Sequence, residues 1–341
     1  MGGAWLVGGL DALARETGWD PADADYIVGT SAGSMVGSLC VAGVPPWFMV
    51  AFSSGENFEG VTDAKGRPAD TADRTGGAVF RIEPGALPLA PGSWRLALNA
   101  LTRPRSHTPV TAVAGFLPRG IVSHAPIRDQ VRRVVPDGWV SHPGLHLVAC
   151  DYSNGRRVPF GREDAPPANL ADAVAASCSI PGFYRPVSIG GRLYVDGGIY
   201  STSNLDLLRD AGLDLVICLN PTSSLHPIRA WNPVERAATA FRRASGRRLG
   251  SEAKKLKSAG TEVILIQPTA EDMDVMGPNL MSRRRRNEAI ETAQRTVAQQ
   301  LAEHPDRRLL DELPAGRPER IERPAGDPAD WPTLVELTES A

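Results

Sequence analysis

The clearest pattern of apolar and small residues lies near the start of the chain, in YIVGTSAGSMVGSL at residues 26–39. Its first part, YIVGT, has the length and the apolar character of a buried strand. Its second part is a run of small residues that we interpret as a closely packed helix. We therefore predict a strand that turns sharply into a helix, with Ser31 in the turn.

The rest of the chain alternates between strand and helix patterns. A helical stripe of apolar residues opens the chain and ends near Gly18. Two hairpins are predicted, one about Asn154-Gly155 and one about Gly190-Gly191. Beyond residue 200 the helices NLDLLRDAG and ASGRRLGSEAKKLKSAG alternate with the buried strands DLVICLNP and TEVILIQP, and a long helix follows at 282–304. Such alternation predicts an α/β fold with three α/β/α layers and a mainly parallel central sheet.

One domain is expected at residues 1–304, followed by a tail. Within the domain, residues 53–85 are rich in Gly, Asp, Thr, Arg and Pro with weak periodicity, which predicts a long excursion. That excursion is either a lid over Ser31 or an ordinary surface loop. Residues 305–341 are rich in Pro, Glu and Arg, and we expect them to be loosely ordered apart from a docking contact at Trp331.

Net charge and hydropathy limit the kinds of binding partner that we expect. The formal net charge is −2, so no global field favours nucleic acid. No apolar run approaches the ~18 residues of a membrane span, and no secretory signal is visible. We expect a cytoplasmic protein whose contact with a membrane, if it makes one, is peripheral.

The cysteines indicate neither disulfides nor a metal site. All four lie in apolar or small-residue runs, and no two have C-x-x-C spacing; they are Cys40, Cys150, Cys178 and Cys218. Buried free thiols in a reducing compartment are therefore predicted. No zinc site and no cofactor are expected.

Ser31 is a candidate nucleophile because Gly29 and Gly33 flank it at the G-x-S-x-G spacing. A serine at a sharp strand-to-helix bend is strained, and we expect both glycines to prevent clashes with the neighbouring strand or helix. The backbone N–H of Ala32 would then point above Ser31, at a helix N-terminus that favours developing negative charge. A phosphate-binding loop is disfavoured because no Gly-Lys-Ser/Thr follows.

Asp196 is the candidate base. It ends the apolar strand Leu193–Val195, and Gly197 and Gly198 behind it permit a tight turn. Partial burial should raise the pKa of its carboxyl and make it a stronger base. A plain Asp-Gly-Gly turn is the alternative interpretation. None of the six histidines carries a catalytic motif.

Taken together, these segments resemble the patatin-like acyl hydrolases. The matching pieces are GTSAGS around Ser31, the DGG of Asp196–Gly198, SCSIPGFYRPV and LVACDYSNGRRVPFG, in a similarity that extends to about His304. The resemblance implies that Ser31 is the nucleophile, that Asp196 is its sole base, and that the substrates are acyl esters of glycerolipids.

One departure from the family pattern concerns the oxyanion hole. The family has a first strand and a loop of the type G-G-G-x-R/K-G, whose N–H groups bind the oxyanion, whereas only Gly2 and Gly3 correspond to that loop here. We expect Gly2, Gly3 and Ala32 to supply the oxyanion donors, with the first strand missing and the missing part encoded upstream.

Two other functions stay open alongside this dyad lipid hydrolase. The chain order Ser, Asp, His permits a Ser-Asp-His hydrolase that uses His226 or His304. A non-catalytic acyl-binding protein is the second alternative.

The basic run Arg283–Arg286 at the start of the last long helix is a further candidate. It contacts lipid phosphate or is simply a solvated helix face.

Overall fold

A computed structural model of the chain describes residues 1–56, 82, 92–102, 109–224, 233–279, 282 and 284–326. The strands are β1 (Ile27–Thr30), β2 (Leu145–Asp151), β3 (Arg157–Phe160), β4 (Val187–Ile189), β5 (Arg192–Asp196), β6 (Leu215–Leu219) and β7 (Glu262–Ile266). The helices are α1 (Gly2–Thr17), α2 (Ala32–Val41), α3 (Pro46–Ser54), α4 (Trp94–Thr102), α5 (Pro109–Phe116), α6 (Ala125–Val134), α7 (Leu170–Ser177), α8 (Pro233–Ser258), α9 (Ala270–Met276), α10 (Arg286–Ala302), α11 (Arg307–Asp311) and α12 (Pro318–Ile321).

The central sheet is built around β2, which is buried along its whole length. β1 pairs with β2 in parallel, whereas β3 and β5 pair with it antiparallel, and β4 completes the sheet next to β5. A separate parallel pair is formed by β6 and β7. The predicted parallel pairing is therefore found at β1–β2 and β6–β7, but the sheet is mixed because both predicted hairpins add antiparallel ladders.

Helices cover the strands on both sides, which confirms the α/β class. On one face of the central sheet, α6 and α7 pack with β2 in a cluster that contains Val131, Leu147 and Val174. The β6–β7 pair is covered by α1 and α10 on one face and by α8 on the other. Alternate residues of β6 accordingly belong to the two clusters, as half-buried strands require.

Two predicted helices differ from the structure. The segment NLDLLRDAG forms only a 3-10 turn at Leu205–Leu208. Asn204 before this turn has a left-handed conformation with φ of 51°, and Asp206 within it forms an ion pair with Arg157. The long helix begins at Arg286 rather than at Ser282.

The region after residue 304 is more ordered than predicted, up to residue 326. It contains α11 and α12, and Arg320 of α12 is buried with its guanidinium paired to Asp20. The same guanidinium donates to the carbonyl of Gly43 at 2.7 Å. The composition of this region did not predict the docking. The region is polar and rich in proline, and its attachment depends on one buried arginine. The expected contact at Trp331 lies outside the described residues, as does most of the excursion at 53–85.

We expect Arg320→Met to destabilise the protein strongly. It leaves the carboxylate of Asp20, whose side chain is 3 % exposed, buried without its cation, which typically costs about 3–5 kcal/mol. The matched control is Arg323→Met: Arg323 pairs with Glu56 at 2.7 Å, but both side chains are about 40 % exposed, so its loss should cost less than about 1 kcal/mol. Urea unfolding of the three proteins measures both. Equal stability of the two variants would contradict a structural role for this buried pair.

Candidate active site

Ser31 and Asp196 meet because β1 and β5 end at the same place on β2. Val148 of β2 pairs with Thr30 on one edge and with Pro159 on the other, and Ala149 pairs with Asp196 and with Val158. Since β3 occupies one edge across both positions, β1 and β5 share the other edge. They run toward each other along it, and their last residues face consecutive residues of β2.

The turn after β1 is strained, as a nucleophile elbow requires. Ser31 has φ of 54° and ψ of −122°, and it precedes the first residue of α2. A Cβ on Gly29 would lie 2.6 Å from the Cα of Ser34, so α2 packs directly on the backbone of β1. This close contact is the steric reason for a glycine at position 29, as predicted.

The role predicted for Gly33 is different in the structure. A Cβ at Gly33 would meet no atom of the described residues within 4 Å, so this position faces open space rather than a described strand or helix. Gly33 therefore does not prevent a clash. The open space lies one residue after Ala32, beside the N-terminus of α2.

The backbone of Ser31 is held on both of its polar groups. Its N–H donates to the Ser177 hydroxyl at 2.9 Å, and that hydroxyl donates to the Val148 carbonyl at 2.7 Å. The Ser31 carbonyl accepts from the Ser34 hydroxyl at 2.6 Å and from the Cys178 thiol at 3.3 Å. Burial raises the pKa of the Cys178 thiol to about 12, so it is a neutral donor here. These contacts keep the strained residue in place.

Asp196 is 4 % exposed, and its carboxylate accepts a hydrogen bond from the N–H of Gly198 at 2.7 Å. The Ser31 side chain lies close enough to lower the pKa of this carboxyl. Burial raises its pKa from 3.8 to about 6, while the contacts with Gly198 and Ser31 lower it by less. Above that pH the site therefore holds an ionised, poorly solvated carboxylate next to a hydroxyl.

The raised pKa also affects stability. The unfolded chain loses this proton near pH 3.8 and the folded chain near pH 6, so stability falls as pH rises between them. Above pH 6 the raised pKa of Asp196 lowers the free energy of unfolding by about 3 kcal/mol, because each pKa unit corresponds to about 1.4 kcal/mol.

Gly197 and Gly198 are both required by close contacts. A Cβ on Gly197 would lie 2.4 Å from the Val148 carbonyl oxygen, and one on Gly198 would lie 3.0 Å from a carboxylate oxygen of Asp196. Close approach rather than an unusual backbone angle explains these glycines.

Two helices point their N-termini toward this site. Gly2 and Gly3 are not a loop, as the family pattern suggested, but lie in the first turn of α1. A Cβ on Gly3 would lie 3.6 Å from the Cβ of Ala32, which places the start of α1 beside the start of α2. The first N–H groups of a helix have no carbonyl partner within it, so both helix starts offer donors.

Comparison with models of known protein families matches residues 1–209 to the patatin-like phospholipase family. The match covers more than half of the 341 residues. The chain belongs to the patatin-like phospholipase family. Membership implies hydrolase activity on acyl esters of lipids.

The patatin match ends at Arg209, before His304, to which we expected the similarity to extend. It contains β1–β5 and both Ser31 and Asp196. The β6–β7 pair and α8–α12 lie beyond it. Of these elements, β6, β7, α9, α10 and α11 share a buried cluster with α1 and so support the start of that helix.

Two histidines among the described residues of this patatin-like chain make contacts outside the Ser31–Asp196 pair. Arg307, just after His304, donates to the Glu16 carbonyl at the far end of α1, a helix of 16 residues and therefore about 24 Å long. The His124 ring bonds the Ser179 hydroxyl at 2.8 Å and stacks on Tyr184. His226 lies outside the described residues.

The basic run of the patatin-like chain is only partly available to a ligand. Arg285 pairs with Glu288 and donates to the Asp274 carbonyl at 2.9 Å, whereas Arg284 is exposed. Arg286 is partly buried and opens α10, and Arg283 lies outside the described residues. The N-terminal amine of Met1 donates to Ser282, so this run lies beside the start of α1.

Ser177 and Asn204 are positioning residues that the sequence analysis missed. Asn204 donates to the Thr30 hydroxyl at 2.9 Å, next to Ser31, and is fully buried. Neither carries a motif of its own. Ser177 is the first residue of the SCSIPGFYRPV segment, which carries part of the family resemblance, and this was the one available signal. Asn204 lies outside the matching segments.

The elbow geometry predicts opposite effects for its two glycines. Gly29→Ala should destabilise the protein by several kcal/mol or prevent folding, because the added methyl cannot avoid the backbone of Ser34. Gly33→Ala should fold normally and gain up to about 1 kcal/mol, since alanine favours a helix more than glycine does. Thermal unfolding of both variants measures this difference. Similar losses of stability would contradict the open space at Gly33.

Proposed function

We propose that this protein is a serine hydrolase that cleaves carboxylic esters of lipids, including phospholipids, through a dyad of Ser31 and Asp196. One observation carries the proposal: a buried carboxylate with a pKa near 6 lies beside the hydroxyl of a strained elbow serine. A serine hydroxyl is a weak nucleophile until a base removes its proton, and Asp196 is suited to that task.

The reaction has two halves. Asp196 accepts the Ser31 proton as Oγ attacks the acyl carbonyl, and the protonated carboxyl then returns this proton to the departing alcohol. The acyl group is left as an ester on Ser31. Water attacks that ester with Asp196 again as base, and release of the fatty acid restores both groups.

Negative charge develops on the carbonyl oxygen in both halves. The N–H groups at the start of α2, of which Ala32 is the first, and those of Gly2 and Gly3 at the start of α1 are our proposed donors. The Ser31 N–H is an unsuitable donor because it already bonds Ser177. Helix N-termini add favourable electrostatics at this point.

A Ser-Asp-His triad is the less favoured mechanism. Among the described residues, the groups that act on the pKa of Asp196 are Gly198 and Ser31, and neither is a histidine. His304 lies at the wrong end of α1. His226 is therefore the histidine that an experiment must exclude.

Arg284 remains our proposed contact for a lipid head group, because it is exposed and follows a segment that lies beside the start of α1. A cytoplasmic location with peripheral membrane contact stays a prediction.

Ser31→Ala and Asp196→Asn should each reduce hydrolysis of a soluble nitrophenyl ester by about 10⁴-fold or more, because each removes one half of the dyad. Ser38→Ala is the matched control: this buried hydroxyl on α2 has no partner among the described residues and should be dispensable.

His226→Ala should also keep its activity, whereas a triad would fail without it. Fluorophosphonate labelling should be lost in Ser31→Ala, be strongly slowed in Asp196→Asn and persist in Ser38→Ala; if the native protein is not labelled, a non-catalytic acyl-binding protein is favoured.

The pH profile tests the base directly. Since only the ionised carboxylate accepts a proton, kcat/KM should rise about tenfold per pH unit up to about pH 6 and then level off. In parallel, urea unfolding should show that the native protein loses stability relative to Asp196→Asn as pH rises from 3.8 to about 6. A rate that stays flat down to pH 3.8 would exclude Asp196 as the base.

A further inference from the structure

The helices α4 and α5 form a hairpin with an unusually apolar outer face. Three side chains of α4 at helical spacing, Trp94, Leu98 and Leu101, are 66 %, 63 % and 67 % exposed. Those of α5 and the residue after it continue the surface: Val110, Val113, Phe116 and Leu117 are 37–58 % exposed. We call these seven side chains the outer face. Seven large exposed apolar side chains on two helices that pack together indicate an interaction site, whereas apolar residues scattered singly over a surface do not.

The hairpin is firmly attached to the protein through its other side. Leu96, Ala97 and Ala114 are buried, and a Cβ on Gly115 would lie 2.6 Å from the Ala97 nitrogen, so the two helices touch at their backbones. The Tyr152 hydroxyl donates to the Ala114 carbonyl at 3.0 Å. The exposure of the outer face therefore does not result from a detached hairpin.

The hairpin also packs on the turn that carries the candidate base. The Thr111 hydroxyl donates to the Ile199 carbonyl at 3.0 Å, and Ile199 ends the 3-10 turn that directly follows Asp196. Leu96 and Ala114 pack with Val195 and Ile199 in one buried cluster. Whatever binds the outer face is therefore held close to the candidate active site.

The charge around the outer face selects the type of partner. The sequence from residue 92 to residue 119, which contains both helices, has no Asp or Glu. Arg95 and Arg119 are exposed beside the apolar side chains, while Arg128 is neutralised by Asp172. Apolar side chains flanked by basic residues bind the interface of an anionic bilayer, where rings and aliphatic groups enter the acyl boundary and arginines meet lipid phosphate.

We propose that the outer face of the α4–α5 hairpin docks on the surface of anionic lipid bilayers and so places the Ser31–Asp196 site at the lipid interface. This inference rests on the proposed function, because it supplies that site with its substrate. Among the described residues, no helix is long and apolar enough to cross a membrane, so the contact is interfacial. A second copy of the chain is the competing occupant, but Arg95 and Arg119, which form no ion pair with the described residues, would repel their copies across such a contact.

The test measures vesicle binding on the Ser31→Ala background, where hydrolysis does not interfere. Co-sedimentation with vesicles of phosphatidylcholine and phosphatidylglycerol is compared for this protein and for the same protein with Trp94→Ser, Leu98→Ser and Leu101→Ser. We expect the triple substitution to lower the partition coefficient by about tenfold or more, because three inserting side chains are lost. Phe241→Ser, which removes a side chain 37 % exposed on α8, is the matched control and should bind normally.

A second variant with Arg95→Gln and Arg119→Gln should bind pure phosphatidylcholine as before but lose the preference for phosphatidylglycerol. Circular dichroism and thermal unfolding confirm that each variant is folded. Unchanged vesicle binding by the folded triple variant would overturn the proposal. The proposal would also be overturned if the native protein did not bind vesicles but formed a dimer that the triple substitution dissociates. Failure of the hydrolase proposal would appear separately, as nitrophenyl ester turnover that survives Ser31→Ala.

Discussion

The site depends on the way two strands share one edge of β2. β1 runs parallel to β2 as far as Val148, and β5 runs antiparallel to it as far as Ala149, so their ends face each other. Neither strand can continue without colliding with the other, and the chain must turn away at both ends. Ser31 and Asp196 occupy those two turns. The geometry that ends the strands is therefore also the geometry that brings the hydroxyl to the carboxylate.

This arrangement stores unfavourable energy at both residues. Ser31 has a positive φ, which is costly for a residue with a side chain, and Asp196 is a buried acid whose ionised form is poorly solvated. The surroundings hold both in place: Ser177 bonds both the Ser31 N–H and the Val148 carbonyl, at the point where the strands end. A loose elbow would relax and lose the contact with the base. The dyad that we propose therefore depends on a rigid neighbourhood around both residues.

The surroundings of the site divide into two sides with different properties. On one side the starts of α1 and α2 offer N–H donors, and the strands and helices beyond the family match hold α1 there. On the other side the turn after Asp196 is covered by the α4–α5 hairpin, whose outer face is apolar and flanked by arginine. The first side suits developing negative charge, and the second suits a lipid surface. An enzyme whose substrate lies in a bilayer needs both.

Local pattern was sufficient to predict the strands, turns and helix that carry the candidate site residues. The strand–turn–helix at Ser31, the two hairpins and the strand that ends at Asp196 follow from spacing and glycine positions, which act within a few residues. Contacts between residues far apart in sequence could not be predicted from local pattern. The shared edge of β2, the open space at Gly33, the hydroxyl of Ser177 under the elbow and the burial of Arg320 against Asp20 all depend on side chains far apart in sequence. Sequence thus determined which residues could react, and only the tertiary structure decided that they meet, because register along a shared strand is a property of the assembled sheet.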